Sequence, residues 1–307
     1  LAMSIRARAH NFLGALNAMQ RQPAAALEHW QQAKRYAADS GLAQIHYRSE
    51  GNIATLLYEQ GDISAALTAS QTAIHGLNEI GDTYGKARFI HLQSILHYIQ
   101  ADYAACIAVS QQSEALKRTL GDVAGVIGAQ NQRAKALLAL GRLAEANELS
   151  QLALGAAQDI NDARLLVFSW LLRCDCTLAQ GDGVAAMQCV KQAQICVGHA
   201  KPDKTLLHDL HTHEAWTWLS VGEVAQAATI LQADPLAPNA SLEVQLERQT
   251  VSLLCHPTAD TSAATTLATA TTHGYVHHAR IIERVDKVRG QAIPPTSLVA
   301  HVLFGSA

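Results

Sequence analysis

Gly61-Asp62-Ile63-Ser64-Ala65-Ala66-Leu67-Thr68-Ala69-Ser70-Gln71-Thr72-Ala73-Ile74-His75-Gly76-Leu77-Asn78-Glu79-Ile80-Gly81-Asp82 is the stretch that decides the fold. It opens and closes on Gly-Asp. Glycine enters the left-handed conformation cheaply and ends a helix, and aspartate then caps the next by accepting backbone N–H bonds. Between the two turns Ile63, Ala66, Leu67, Ser70, Ala73, Ile74 and Leu77 recur at helical spacing, and no period-two alternation persists. The segment therefore predicts one helix of roughly 15–18 residues, buried along a single stripe.

Outward from it the same punctuation repeats. Gly61-Asp62, Ala101-Asp102, Gly141-Arg142, Gly181-Asp182 and Gly222-Glu223 stand 40, 40, 40 and 41 residues apart, and Arg21-Gln22 lies 40 before the first. A second series interleaves: Ser40-Gly41, Gly81-Asp82, Gly121-Asp122, Asn161-Asp162 and Pro202-Asp203. Two turns per 40-residue unit delimit two helices. Seven residues before the first turn stand Gly14, Ala54, Ser94, Ala134, Cys174 and Ala215. Five after it stand Ala26, Ala66, Cys106, Ala146, Ala186 and Ala227, and seven further on Ala33, Ala73, Ser113, Ala153 and Ala193. Small residues in three columns let antiparallel helices approach closely.

The pattern small–x6–Gly-Asp–x3–Ala–x6–Ala resembles the tetratricopeptide repeat, in a long variant. The segments Leu77–Gly85 and Leu116–Gly125 are similar to the linking stretches in sensor arrays of STAND-type signalling ATPases, including LuxR-type regulators akin to the maltose-regulon activator. The resemblance spans about residues 5–235. It implies an all-α, right-handed superhelical solenoid of antiparallel helix pairs. The expected organisation is repeats over 1–240, irregular capping helices over 241–290, and a tail or docking segment over 291–307. Pro235, Pro238, Asn239 and Pro257 read as breakers.

Composition narrows the function. Of 307 residues only 16% are charged and the net charge is −3, which argues against a nucleic-acid binder working through a broad basic face. No run of 18 apolar residues stands out as a membrane span, and no signal-peptide core opens the chain. The six cysteines read as reduced thiols of a cytoplasmic protein. Cys174, Cys176, Cys189 and Cys196 fall in one repeat, but Cys174 holds a small-residue column, so packing is the expected role. His211, His213 and Glu214 lack the His-Glu-x-x-His spacing of a zinc helix. No glycine-rich phosphate loop and no Gly-x-Ser-x-Gly elbow occur. The chain is expected not to be an enzyme and to hold no metal and no cofactor.

In a tetratricopeptide-like array the first helix of each pair lines the concave groove. The resemblance then places Arg8, Asn11, Phe12 and Ala15 there, followed by Arg48, Gly51, Asn52 and Thr55. Arg88, His91, Leu92 and Ile95 come next, then Gly128, Asn131, Gln132 and Lys135, and then Phe168, Leu171, Leu172 and Asp175. Each set has i, i+3, i+4, i+7 spacing, one helical stripe. The candidate binding residues are Arg8, Asn11, Arg48, Asn52, Arg88, His91, Asn131, Gln132 and Lys135. Aligned arginines suit carboxylates, phosphates or hydroxyl-rich ligands. The expected function is a sensor that binds a small-molecule inducer, or a peptide or protein partner, in its groove. The alternative is a stand-alone protein–protein scaffold. Neither reading includes a membrane or direct contact with nucleic acid.

Overall fold

The computed structural model describes residues 2–199, 204–236, 240–256, 263–289, 291 and 293–305. Pro202, Asp203, Pro238, Asn239 and Pro257, read above as turn or breaker residues, lie outside these. The described residues form sixteen α-helices and no strand. The first pairs are α1 (Ala2–Met19) with α2 (Pro23–Asp39), and α3 (Ala43–Glu59) with α4 (Ile63–Glu79). Next come α5 (Thr83–Ile99) with α6 (Tyr103–Thr119), and α7 (Val123–Ala139) with α8 (Leu143–Ile160). α9 (Ala163–Ala179) with α10 (Gly183–His199) and α11 (Lys204–Ser220) with α12 (Val224–Ala233) complete the repeats. Then follow α13 (Leu242–Cys255), α14 (Ala263–Thr272), α15 (Val276–Val288) and α16 (Pro295–Phe304). Consecutive helices pack on one another throughout, giving a tetratricopeptide-like solenoid.

The turn chemistry behaves as the residues dictate. Gly41, Gly61, Gly81, Gly121, Gly141, Gly181 and Gly222 all have φ between 67° and 86°. The carboxylates of Asp62, Asp82, Asp102, Asp122, Asp162 and Asp182 accept the backbone N–H three residues on, at 2.9–3.1 Å. Where a turn lacks glycine the geometry persists: Arg21 and Ala101 sit at φ 56° and Asn161 at 50°. Asparagine tolerates this conformation, but alanine is strained in it. Replacing Ala101 by Gly should therefore raise stability by about 0.5–1 kcal/mol, read as a higher urea midpoint at unchanged slope.

The three small columns are the seams of the solenoid. Ala54, Ser94, Ala134, Cys174 and Ala215 are wholly buried, as are Ala26, Ala66, Cys106, Ala146, Ala186 and Ala227. So are Ala33, Ala73, Ser113, Ala153 and Ala193. Between successive first helices the approach is closer still. A Cβ on Gly51 of α3 would stand 2.3 Å from the ring of Phe89 on α5, so glycine is what lets that buried ring lie on the neighbouring backbone.

After α12 the chain no longer only extends the array. Tyr58 of α3 donates to Glu243 Oε2 of α13 at 2.7 Å. Tyr98 of α5 and Tyr103 of α6 bond the two ring nitrogens of His277 on α15, at 2.9 and 2.8 Å. Helix α16 packs against α7, α9, α11 and α15. The C-terminal helices thus reach back to the early and middle repeats and bound a partly open space against them.

Candidate functional site

That space is a cavity of about 450 Å³ walled by α5, α7, α9, α11 and α13. His91, Asn131, Gln132 and Lys135 line it, with an apolar wall from Ile95, Phe168, Leu171 and Leu172. A smaller cavity of about 100 Å³ adjoins it, bounded by Tyr98, Trp216, His277, His278 and Phe304. Both spaces share Lys135, Asp175, His213, Glu243 and Glu247.

The stripes carried over from the repeat therefore converge in part. His91, Asn131, Gln132 and Lys135 meet in one cavity. The others lie elsewhere. Arg8 is exposed on α1, and Asn11 Oδ1 accepts from Ser49 Oγ at 3.1 Å. Asn52 is buried in α3. Arg48 is held by Asp82, with Nε to Oδ2 at 2.6 Å and Nη2 to Oδ1 at 3.0 Å. Arg88 lies over the ring of Phe89, 5.2 Å from its centroid. Trp216 is buried against the smaller cavity, while Trp218 packs on the main core. All six cysteines are free thiols; burial pushes those of Cys106 and Cys176 up to about 11.

Two residues that line the larger cavity each keep a buried polar atom without a partner. Asn131 donates through Nδ2 to Ser169 Oγ at 3.3 Å, but its buried Oδ1 accepts nothing. His91 Nδ1 is likewise buried and unpaired. Burial, with Lys117 nearby, lowers the His91 pKa to about 4, so the ring is neutral at physiological pH and offers one donor and one acceptor. A buried acceptor without a donor costs roughly 1–3 kcal/mol.

The inner end carries charge. Asp175, Asp209, Glu243 and Glu247 line it with Lys135 and His213, and Arg164 stands in the wall of the larger cavity. Burial raises the Asp209 carboxyl to about 7, and Glu247 pushes it the same way. Burial alone would lower His213. Asp175, whose Oδ1 lies 3.3 Å from Nε2, overrides it with help from the Asp209 carbonyl, and lifts the imidazole to about 9. Sequence reasoning placed Asp175 on the stripe but missed Asp209, His213, Glu243 and Glu247. An acidic ligand at Arg48 would have to compete with Asp82.

Both shifts have the same sign, so both favour the folded state at low pH. The contribution of Asp209 fades as pH rises from 3.8 through about 7, and that of His213 as pH rises from 6.5 through about 9. Stability should fall over the upper window in guanidinium titrations run with a chelator present. Asp175→Asn should flatten that limb and leave the lower one. An unchanged upper limb would mean that the Asp175–His213 pair does not set it.

No protein-family model and no curated protein matches the sequence. The fold, however, is shared with solved structures. A Rap protein complexed with Competence and Sporulation Factor has a TM-score of 0.68 at 11% identity, over 99% of this chain and 97% of that one. The Rap conjugation gene regulator of plasmid pLS20, solved with a peptide, gives 0.68 at 12%, over 97% and 94%. NprR in complex with its cognate peptide NprX gives 0.55 at 12%, over 88% and 85%. At these identities the likeness is one of fold. It extends over nearly all of the chain, the C-terminal helices included. No helix of the described residues is long and apolar enough to cross a membrane.

Proposed function

We propose that the chain is the peptide-sensing module of a regulator, with the larger cavity as its receptor site. The observation that carries this reading is a cavity of about 450 Å³ in which the polar side chains of His91, Asn131, Gln132 and Lys135 stand beside an apolar wall. An extended peptide offers what they need: main-chain N–H and C=O groups along one edge and side chains for the apolar wall. The volume lies within the usual range of about 300–1,000 Å³ for ligand pockets. Solved structures of the same fold contain Competence and Sporulation Factor and NprX. A scaffold that accepts a partner's helix is less well supported, because α15 and α16 already pack against first helices of the repeats and take up part of that side. The reading makes the chain a binding module and not an enzyme. We infer further that it signals inside the cell to an effector. The resemblance of Leu77–Gly85 and Leu116–Gly125 to linking stretches of STAND-type arrays favours an attached ATPase.

A defined library of unmodified penta- to heptapeptides, screened by thermal shift and followed by calorimetry, tests the proposal. A subset should bind saturably at one site. Asn131→Ala should weaken those peptides by roughly two- to tenfold, the worth of one hydrogen bond. Gly128→Leu projects a side chain from α7 into the cavity and should abolish binding without unfolding the chain. An added Cβ there meets only His91, at an ordinary 3.7 Å. Binding of small polar metabolites but of no peptide would replace the peptide by an inducer. Peptide binding indifferent to both substitutions would overturn the site.

A further inference from the structure

Glu243 and Glu247 lie one helical turn apart on α13, and His278 faces them from α15. One ligating atom from each lies within 4.8 Å of the other two. His278 is only 4% exposed, yet neither of its ring nitrogens makes a hydrogen bond. Its buried Nδ1 has no partner, and its Nε2 stands 3.8 Å from Glu247 Oε1. That gap is too long for a hydrogen bond and suits a bridging ion. Two ligands each about 2.1 Å from one metal stand about 3.0–4.2 Å apart for angles of 90–180°. Tyr58 donates to Glu243 Oε2 at 2.7 Å, which fixes one carboxylate oxygen and leaves the other for an ion. Lys135 and His213 line both spaces beside Glu243 and Glu247, and Asp175 adds a further carboxylate.

We propose that Glu243, Glu247 and His278 form a site for a divalent first-row metal ion, of which zinc is the best match to a set of two carboxylates and one imidazole. The ion clips α13 to α15 at the back of the cavity, and the adjoining space leaves room for water as a further ligand. A lysine ammonium inserted from a partner would answer the same charge, but an imidazole beside two carboxylates is a ligand set for a Lewis-acidic cation. The sequence expectation of no metal came from cysteine placement and His-Glu spacing. This cluster is assembled from two helices and shows in neither pattern.

The site does not depend on the peptide reading, because its test contains no peptide. Zinc chloride is titrated calorimetrically into the full chain after chelator treatment. One ion per chain should bind with micromolar or tighter affinity, and saturation should raise the melting temperature by several degrees. Glu247→Gln and His278→Gln should each weaken binding at least tenfold with helical circular dichroism unchanged. If His278→Gln fails to fold, the partly exposed Glu247 carries the test alone. Cobalt(II) should bind without a thiolate charge-transfer band. His10 and His29, with Nδ1 atoms 2.9 Å apart, form the competing two-ligand site, so His29→Ala is the control. Absence of saturable binding, a thiolate band, loss of binding in His29→Ala alone, or full affinity in Glu247→Gln would each overturn the proposal.

Discussion

Replacing Asp82 by Ala should destabilise the protein by about 2–4 kcal/mol, several times the effect of the same change at Asp62. Both aspartates cap a helix, accepting from Gly85 and Ala65 respectively at 3.0 Å. Losing a cap costs about 1 kcal/mol. Asp82 does more. It also takes both prongs of the Arg48 guanidinium and the Gln44 amide at 3.2 Å, in a largely buried position. The Arg48 hydrogen bond holds its carboxyl below the usual aspartate range despite burial. A charged hydrogen bond contributes about 1.5–3 kcal/mol, discounted here because Arg48 keeps 39% of its side-chain surface exposed. Urea unfolding of the two variants measures the difference directly. Equal losses would show that Arg48 contributes nothing beyond solvation.

The second large effect is overpacking. Ala66, Ala146 and Ala186 have no exposed surface and occupy the same seam in successive pairs. Leucine at any of them must push two helices apart or adopt a strained rotamer, at about 1–3 kcal/mol. Ser64 is exposed two residues earlier in the same helix as Ala66, and should accept leucine within about 0.5 kcal/mol. The contrast tests the repeat register itself. Comparable small losses at Ala66 and Ser64 would mean that the seam lies elsewhere on α4.

The reason the fold was legible lies in these columns. Small residues at Ala54, Ala134 and Cys174, and turn glycines at Gly61, Gly141 and Gly181, are local requirements repeated every 40 residues, so each copy supports the others. The site was legible only where it inherits that period. His91, Asn131, Gln132 and Lys135 meet in the cavity because the stripe recurs on α5 and α7. The same step, lengthened to 41 residues by the Gly181-to-Gly222 spacing, leads to Asp209, Thr212, His213 and Trp216 on α11. That extension was the available signal for two of the missed residues. Glu243 and Glu247 carry no such signal, since α13 lies beyond the regular repeats and its approach to Tyr58 is a matter of tertiary closure. Arg48 shows what such a column leaves out. Its partner stands 34 residues away at the cap of another helix, and a column of like residues says nothing of what faces each member.

The tie between the C-terminal helices and the early repeats also sets an order of events. Tyr58 and Glu243 are 185 residues apart in sequence, Tyr98 and His277 179, and Tyr103 and His277 174. Closing loops of this length from a disordered chain costs roughly 2 kcal/mol more than closing a 20-residue one. Helix pairs need no such closure, since each finds its partner within one repeat and nucleates on its neighbour. The intervening pairs, once folded, carry the two ends towards each other as rigid bodies and remove most of that cost. The ring contacts are therefore the last to form and the first to open. The cavity is therefore expected to be complete only after the repeats beneath it have folded.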